Sequence, residues 1–310
     1  MRTLSKLAAA GIAVALAAGA LAGCSSTARE QRIAAGDVSN AVSVADYSSD
    51  RSSITGRTDL STDSPQLTIG SRGDGRWFDP DTDAVQLSIS YFRLDTGESL
   101  GDATTLSPAT ADGIASLGLS TVYEPLSEAL DGLRAGDVFT LVIPGVELTD
   151  TTTSIVIIGS VDDVFLARAH GAEQAPVAGF PQVVRATNGQ PGLVLDSSYS
   201  SDDAPASAVL IKGDGDQVVQ DDDVVYMQIV QYDTTVAKRS SMVINSTWET
   251  GQLGGEHVGD SSNEITAAID DAIRGLPVGS QVIMHIPAAA DAGYGDLFVV
   301  DVLQIVAKTE

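Results

Sequence analysis

Residues 128–145 read EALDGLRAGDVFTLVIPG, and residues 271–288 read DAIRGLPVGSQVIMHIPA. The two stretches lie 143 residues apart and share an Ala, a Gly-Leu, a second Gly and an Ile-Pro in register. Working outward, Gly73-Asp74-Gly75 recurs as Gly213-Asp214-Gly215, and an Asp ahead of an alternating apolar run recurs at Asp83 and Asp223, both at a spacing of 140. Three landmarks at a nearly constant offset indicate a duplicated unit. A period this long describes two globular domains, not a solenoid. The chain length of 310 residues agrees with that count.

Each copy predicts the same elements. In the first, Val85, Leu87 and Ile89 alternate with polar residues as a half-buried strand does. Pro125 suits a first helical turn, and Leu126, Ala129, Leu130 and Leu133 follow at helical spacing. Gly132 and Gly136 end the helix. Residues 138–143 then form a strand closed by Pro144, and residues 155–161 a last strand. In the second copy Val225, Met227 and Ile229 share a strand face, and Ile265, Ile269 and Ile273 recur every four residues, widened by Ala268 and Ala272. Gly275 stops that helix, and residues 282–286 and 297–305 are strands. The expected fold class is α+β: two domains, each an antiparallel sheet wrapped around one short helix.

The N-terminus has the pattern of an export signal. Arg2 and Lys6 precede an apolar run over residues 7–21, too short for a membrane span, which ends Leu21-Ala22-Gly23-Cys24. Cys24 is the sole cysteine. A lone cysteine after small residues at the end of such a segment resembles a bacterial lipobox, which implies lipidation at Cys24 and cleavage before it. The expected organisation is a signal peptide over 1–23, a flexible tether over 24–61, a first domain over 62–168, a Gly/Pro-rich linker over 169–191 and a second domain over 192–310. Within the tether, Val42 and Val44 suit an edge strand. The protein is then expected on the extracytoplasmic face of the cell membrane, held by its acyl chains.

With 17 basic against 42 acidic residues, the chain is a poor partner for nucleic acid, whose binding rests on phosphate neutralisation. His170, His257 and His285 lack ligand spacing, and Asp221-Asp222-Asp223 lacks the alternation of a calcium loop, so no metal or other cofactor is expected. There is no Gly-x-Ser-x-Gly elbow, and Gly73-Asp74-Gly75 reads as a turn rather than a phosphate loop.

The string ITAAIDDAIRGLPVGS over residues 265–280, then Ile286-Pro287 and Gly293-Tyr294-Gly295, resembles the late part of FKBP-type peptidyl-prolyl isomerases. Upstream, Lys212-Gly213-Asp214-Gly215, Asp223-Val224-Val225 and Ile244-Asn245-Ser246-Thr247-Trp248 resemble the family's opening motifs. The likeness spans residues 209–306, with a weaker copy over 68–161, and two such domains behind a lipobox resemble an actinobacterial type of lipoprotein. The resemblance implies a five- or six-stranded antiparallel sheet around the helix and catalysis of Xaa-Pro rotation. That reaction crosses about 18–20 kcal/mol because the amide loses resonance as it twists. It calls for an apolar pocket and a donor to the carbonyl, without nucleophile or metal.

Carried over position by position, the resemblance assigns the pocket to Ile229, Ile244 and Ile269, backbone contacts to Ile265 and Thr266, an aromatic contact to Trp248, the carbonyl donor to Tyr294, and the place of the usual carboxylate to Asn245. Most of the family's aromatic lining is replaced. In the first copy the floor falls at Leu126, and no Tyr-Gly follows Ile143-Pro144. Weak activity in the second domain and none in the first is expected. Tyr294→Phe is expected to lower it and Leu126→Ala to leave it unchanged. Expected partners are exported polypeptides with Xaa-Pro bonds and the membrane, and the chain is expected to be a monomer. The alternative is the same fold holding proline-containing segments or a protein partner without turnover.

Overall fold

The computed structural model describes residues 31–48, 53–149, 151–195, 206–234, 242–260, 263–287, 291 and 295–306. The protein is mostly antiparallel β-sheet with few helices. A short helix α1 (Asp37–Ala41) precedes strands β1 (Gln66–Ser71), β2 (Asp83–Arg93) and β3 (Thr104–Thr105). Helices α2 (Ala111–Ala115) and α3 (Ser120–Leu130) follow, then β4 (Val138–Leu148) and β5 (Thr151–Leu166). The second half holds β6 (Gly171–Glu173), β7 (Gln182–Arg185), β8 (Pro191–Val194), β9 (Ser207–Gly213), β10 (Val224–Tyr232) and β11 (Val243–Ser246). It continues with α4 (Thr247–Thr250), β12 (Gly254–His257), α5 (Glu264–Ile273), β13 (Gln281–His285) and β14 (Leu297–Val306).

The sequence repeat reappears as a repeat of strand order. The first sheet runs β1-β4-β5-β2-β3, and the second contains the matching path β9-β13-β14-β10 with β12 on β10. The duplicated glycines meet in space. A Cβ on Gly73 would lie 2.2 Å from the Ala135 carbonyl oxygen and 2.5 Å from Gly136, and one on Gly213 would lie 2.2 Å from the Val278 carbonyl oxygen and 2.7 Å from Gly279. Gly136 and Gly279 themselves sit at φ +87° and +90°, which favours glycine. The two sequence signatures are therefore two sides of one backbone contact, built twice.

Each sheet has two covered faces. One face holds the helix: Leu126, Ala129 and Leu130 of α3 pack on Val85, Leu87, Ile89, Leu141 and Ile157, and Ile269 and Ile273 of α5 pack on Val225, Met227, Val282, Phe298 and Val300. The opposite face is covered by chain that precedes the sheet. Val38 and Val42 bury against Phe92, Leu94, Val142, Val156 and Ile158. Phe180, Val183 and Leu193 lie on Val230, Tyr232, Ile283 and Val299.

Several expectations are corrected here. Residues 31–48 include a helix rather than an edge strand at Val42; its Val38 and Ser39 amides donate to Gln66 Oε1 at 3.1 Å each. Residues 169–195 are a built cover rather than a free connector: β6 pairs with β9, β7 pairs with β8, and the Tyr232 hydroxyl donates to the Pro191 carbonyl at 2.6 Å. Pro125 sits inside α3, not in its first turn. Its ring removes the amide that would otherwise donate to the Thr121 carbonyl, and Thr121 is exposed. Pro144 does not close β4. It lies in a bulge with Gly145 at φ +67°, and the strand continues to Leu148 before the β5 hairpin.

The halves meet through backbone as well as side chains. Thr110 N donates to Gly251 O at 2.8 Å and Leu253 N to Pro108 O at 3.0 Å. Ala84, Phe165 and Ala167 pack with Leu253 and Leu303.

Candidate functional site

Helix α5 positions most of the residues singled out from the sequence. Its N-cap is Asn263, whose Oδ1 accepts from the Ile265 amide at 2.9 Å and the Thr266 amide at 3.1 Å. Thr266 Oγ1 in turn accepts from the Asn263 amide at 3.3 Å, closing a capping box. The amides of the two residues expected to make backbone contacts with substrate are engaged by the helix's own cap. Asn three residues before Thr is a capping signal legible in the sequence.

Ile269 is 4% exposed and belongs to the core beside Met227, Val282 and Phe298. It fills the floor position instead of lining a hollow. Ile229 and Ile265 are half-buried against the same cluster. Ile229 is held at the outer side of β10, its amide donating to Thr247 Oγ1 at 2.8 Å. Ile244 is 42% exposed on β11 at a register shift, and Asn245 is exposed opposite Gln231. Neither closes a pocket with Ile269. Tyr294 and Cys24 lie outside the described residues.

Trp248 departs furthest from its expected place. Alternation along β10 sends Val225, Met227 and Ile229 toward α5 and Gln228, Val230 and Tyr232 to the other face. Trp248 packs with Val230 and Tyr232, on the face away from Ile269. Its neighbours are Gly189, Gln228, Glu249 and the first half of the chain.

Two buried carboxylates shape the electrostatics of the second half. Asp270, on α5, accepts from the Gly259 amide at 2.8 Å through Oδ2, while Oδ1 has no partner among the described residues. Across from it on β12, burial and the nearby Asp270 carboxylate push the Glu256 carboxyl up. Asp301, on β14, accepts from the Ala169 amide at 2.8 Å and from Gln281 Nε2 at 2.7 Å. Burial raises its carboxyl to about 6, with Ala169, Gln281 and Arg185 pulling the other way. Sequence pattern gave no hint of Asp301, which with Gln304 is one of two polar residues in an otherwise apolar strand.

In the first half, Leu126 is fully buried at the corresponding floor, and the Tyr91 hydroxyl donates to Tyr123 at 3.0 Å beside it. Among the described residues no helix is long and apolar enough to cross a membrane.

No family model matches the chain, and no curated protein does. Among solved structures it is similar to the three FKBP domains of wheat FKBP73, at 13% identity and a TM-score of 0.30, over 79% of this chain and 95% of that one. It is also similar to the N-terminal domain of FKBP42 from Arabidopsis thaliana, at 8% identity and a TM-score of 0.26, over 36% of this chain and 98% of that one. Both scores are low.

Proposed function

We propose that the protein is a membrane-anchored, extracytoplasmic FKBP-type peptidyl-prolyl cis–trans isomerase-like protein that assists the folding of exported polypeptides. Its turnover is weak and is carried by the second domain. The observation that carries this reading is the ordered motif set itself: residues 265–280, Ile286-Pro287 and Gly293-Tyr294-Gly295 resemble the family in sequence, and helix α5 lies on one face of an antiparallel sheet. The anchor is Cys24, lipidated after cleavage of residues 1–23. The half-buried Ile229 and Ile265 offer an apolar surface to a proline ring, and Tyr294 donates to the rotating carbonyl. In the first domain Leu126 fills the floor and β4 runs on past Pro144, so this domain carries no turnover and holds the second at a distance from the membrane.

A second reading is favoured by Asn263 and Ile269. With the Ile265 and Thr266 amides capped and the floor filled, the surface holds a proline-containing segment without accelerating its rotation. Exchange measurements on Xaa-Pro peptides separate the two. Acceleration lost in Tyr294→Phe supports the isomerase. Saturable peptide binding without acceleration supports the holding function. Neither acceleration nor binding overturns both.

A further inference from the structure

Between the two halves lies a cleft of about 250 Å³, on the face of β10 opposite Ile229 and Ile269. Its walls come from both copies of the repeat: Asp81 and Asp112 from the first, Gln228, Trp248 and Glu249 from the second. The contact of Thr110 N with Gly251 O at 2.8 Å closes one end, so neither half forms the cleft alone.

Two features of the walls lack counterparts among the described residues. Gln228 is 1% exposed, and its Nε2 has no hydrogen-bond partner among the described residues; Trp248 Nε1 is in the same state. Buried donors are ordinarily paired, so two orphans in one wall are unusual. Asp81, Asp112 and Glu249 are exposed around the cleft, and among the described residues no Lys or Arg pairs with any of them. Asp83, also in the wall, is already bound by Arg76 at 2.6 Å. The nearby Arg168 donates to the Thr187 carbonyl at 3.0 Å.

We infer that this cleft binds a basic segment of an unfolded polypeptide, with a backbone carbonyl accepting from Gln228 Nε2 or Trp248 Nε1 and a lysine or arginine side chain among Asp81, Asp112 and Glu249. The orphan nitrogens ask for an acceptor oxygen, and the unpaired carboxylates around the same cleft ask for a cation. A basic peptide carries both, and a free amine carries only the second. Both nitrogens are shut off from water as they stand, so binding requires the Trp248 side chain to swing aside and open them to the ligand. The site is distinct from the α5 face and does not depend on the isomerase reading.

The test uses the full chain with Trp77→Phe, which leaves Trp248 as the single indole of the two in the sequence. Capped Gly-Lys-Gly and Gly-Arg-Gly tripeptides, capped Gly-Gln-Gly and n-butylamine are titrated while indole emission is followed. Calorimetry on the unsubstituted chain supplies the same comparison if Trp77→Phe fails to fold. The lysine and arginine peptides are expected to bind saturably and at least tenfold more tightly than the glutamine peptide or butylamine. Asp112→Asn with Glu249→Gln is expected to weaken them at least tenfold, and added salt to weaken them as well. Equal binding of the glutamine peptide would remove the role of the carboxylates. Equal binding of butylamine would remove the role of the orphan donors. Either result, or no binding, overturns the proposal, and because the probes lack proline it does so without bearing on Xaa-Pro turnover.

Discussion

Replacing Asp301 by Asn should change how the stability of the second half depends on pH. The carboxyl is 1% exposed, and burial raises it from 3.8 to about 6 in the folded protein. In the unfolded chain it ionises near its ordinary value. Between those two pH values the folded state holds the proton and the unfolded state has released it. Stability is therefore highest below pH 4 for this group and falls as pH rises through about 6, above which the whole cost of the buried charge is present. A shift of about two pH units corresponds to about 3 kcal/mol. Asn does not titrate, so subtracting the two proteins' profiles cancels the other acids. Urea unfolding between pH 4 and 7, followed by indole emission of Trp248 in a Trp77→Phe background, gives both profiles. The stability of the protein with Asp301, relative to Asp301→Asn, should fall by about 3 kcal/mol across that range. The absolute effect at neutral pH is smaller than this, because Asn presents only one acceptor to the two donors, Ala169 N and Gln281 Nε2. Parallel profiles would show that Asp301 titrates alike in the folded and unfolded chain and would refute the argument from burial.

Three further outcomes are expected. Gly251→Ala puts a Cβ at φ +67° and 2.4 Å from Thr110 Oγ1, so the contact between the halves should open. Calorimetry should then resolve two unfolding transitions, with a loss of about 1–3 kcal/mol from backbone strain alone. Leu126→Ala empties a fully buried position and should cost the first half about 2–5 kcal/mol in chemical denaturation, while leaving any Xaa-Pro turnover by the second half unchanged. Cys24→Ser should move the protein from the membrane fraction to the soluble one and abolish labelling by a radiolabelled fatty acid; retention of label would show that lipidation lies elsewhere.

Much of the framework could be read from side-chain periodicity. Ile265, Ile269 and Ile273 recur every four residues and all lie on α5, and Val225, Met227 and Ile229 do share the face toward it. The repeated glycines were legible because their tight contacts tolerate no side chain. The covers over the outer sheet faces were not. Each rests on a few apolar residues, Val38 and Val42 or Phe180, Val183 and Leu193, dispersed in polar sequence whose composition reads as tether or linker. The Pro144 bulge escaped for a different reason: proline normally marks a strand end, and only pairing on both sides of it lets β4 continue. Contacts made by backbone, such as Thr110 N to Gly251 O, leave no residue-type signature at all. The site was the least legible part. The family's motif order located α5, but it says nothing of Asn263 occupying the Ile265 and Thr266 amides. Nor does it show Trp248 turning to the opposite face of β10.

Exchange measurements of cis–trans rotation on Xaa-Pro peptides, made with the full chain and with its Tyr294→Phe variant, test the central claim most directly. The account predicts weak but measurable acceleration that falls when the Tyr294 hydroxyl is removed. No acceleration at high protein concentration, or acceleration that survives Tyr294→Phe unchanged, would contradict it.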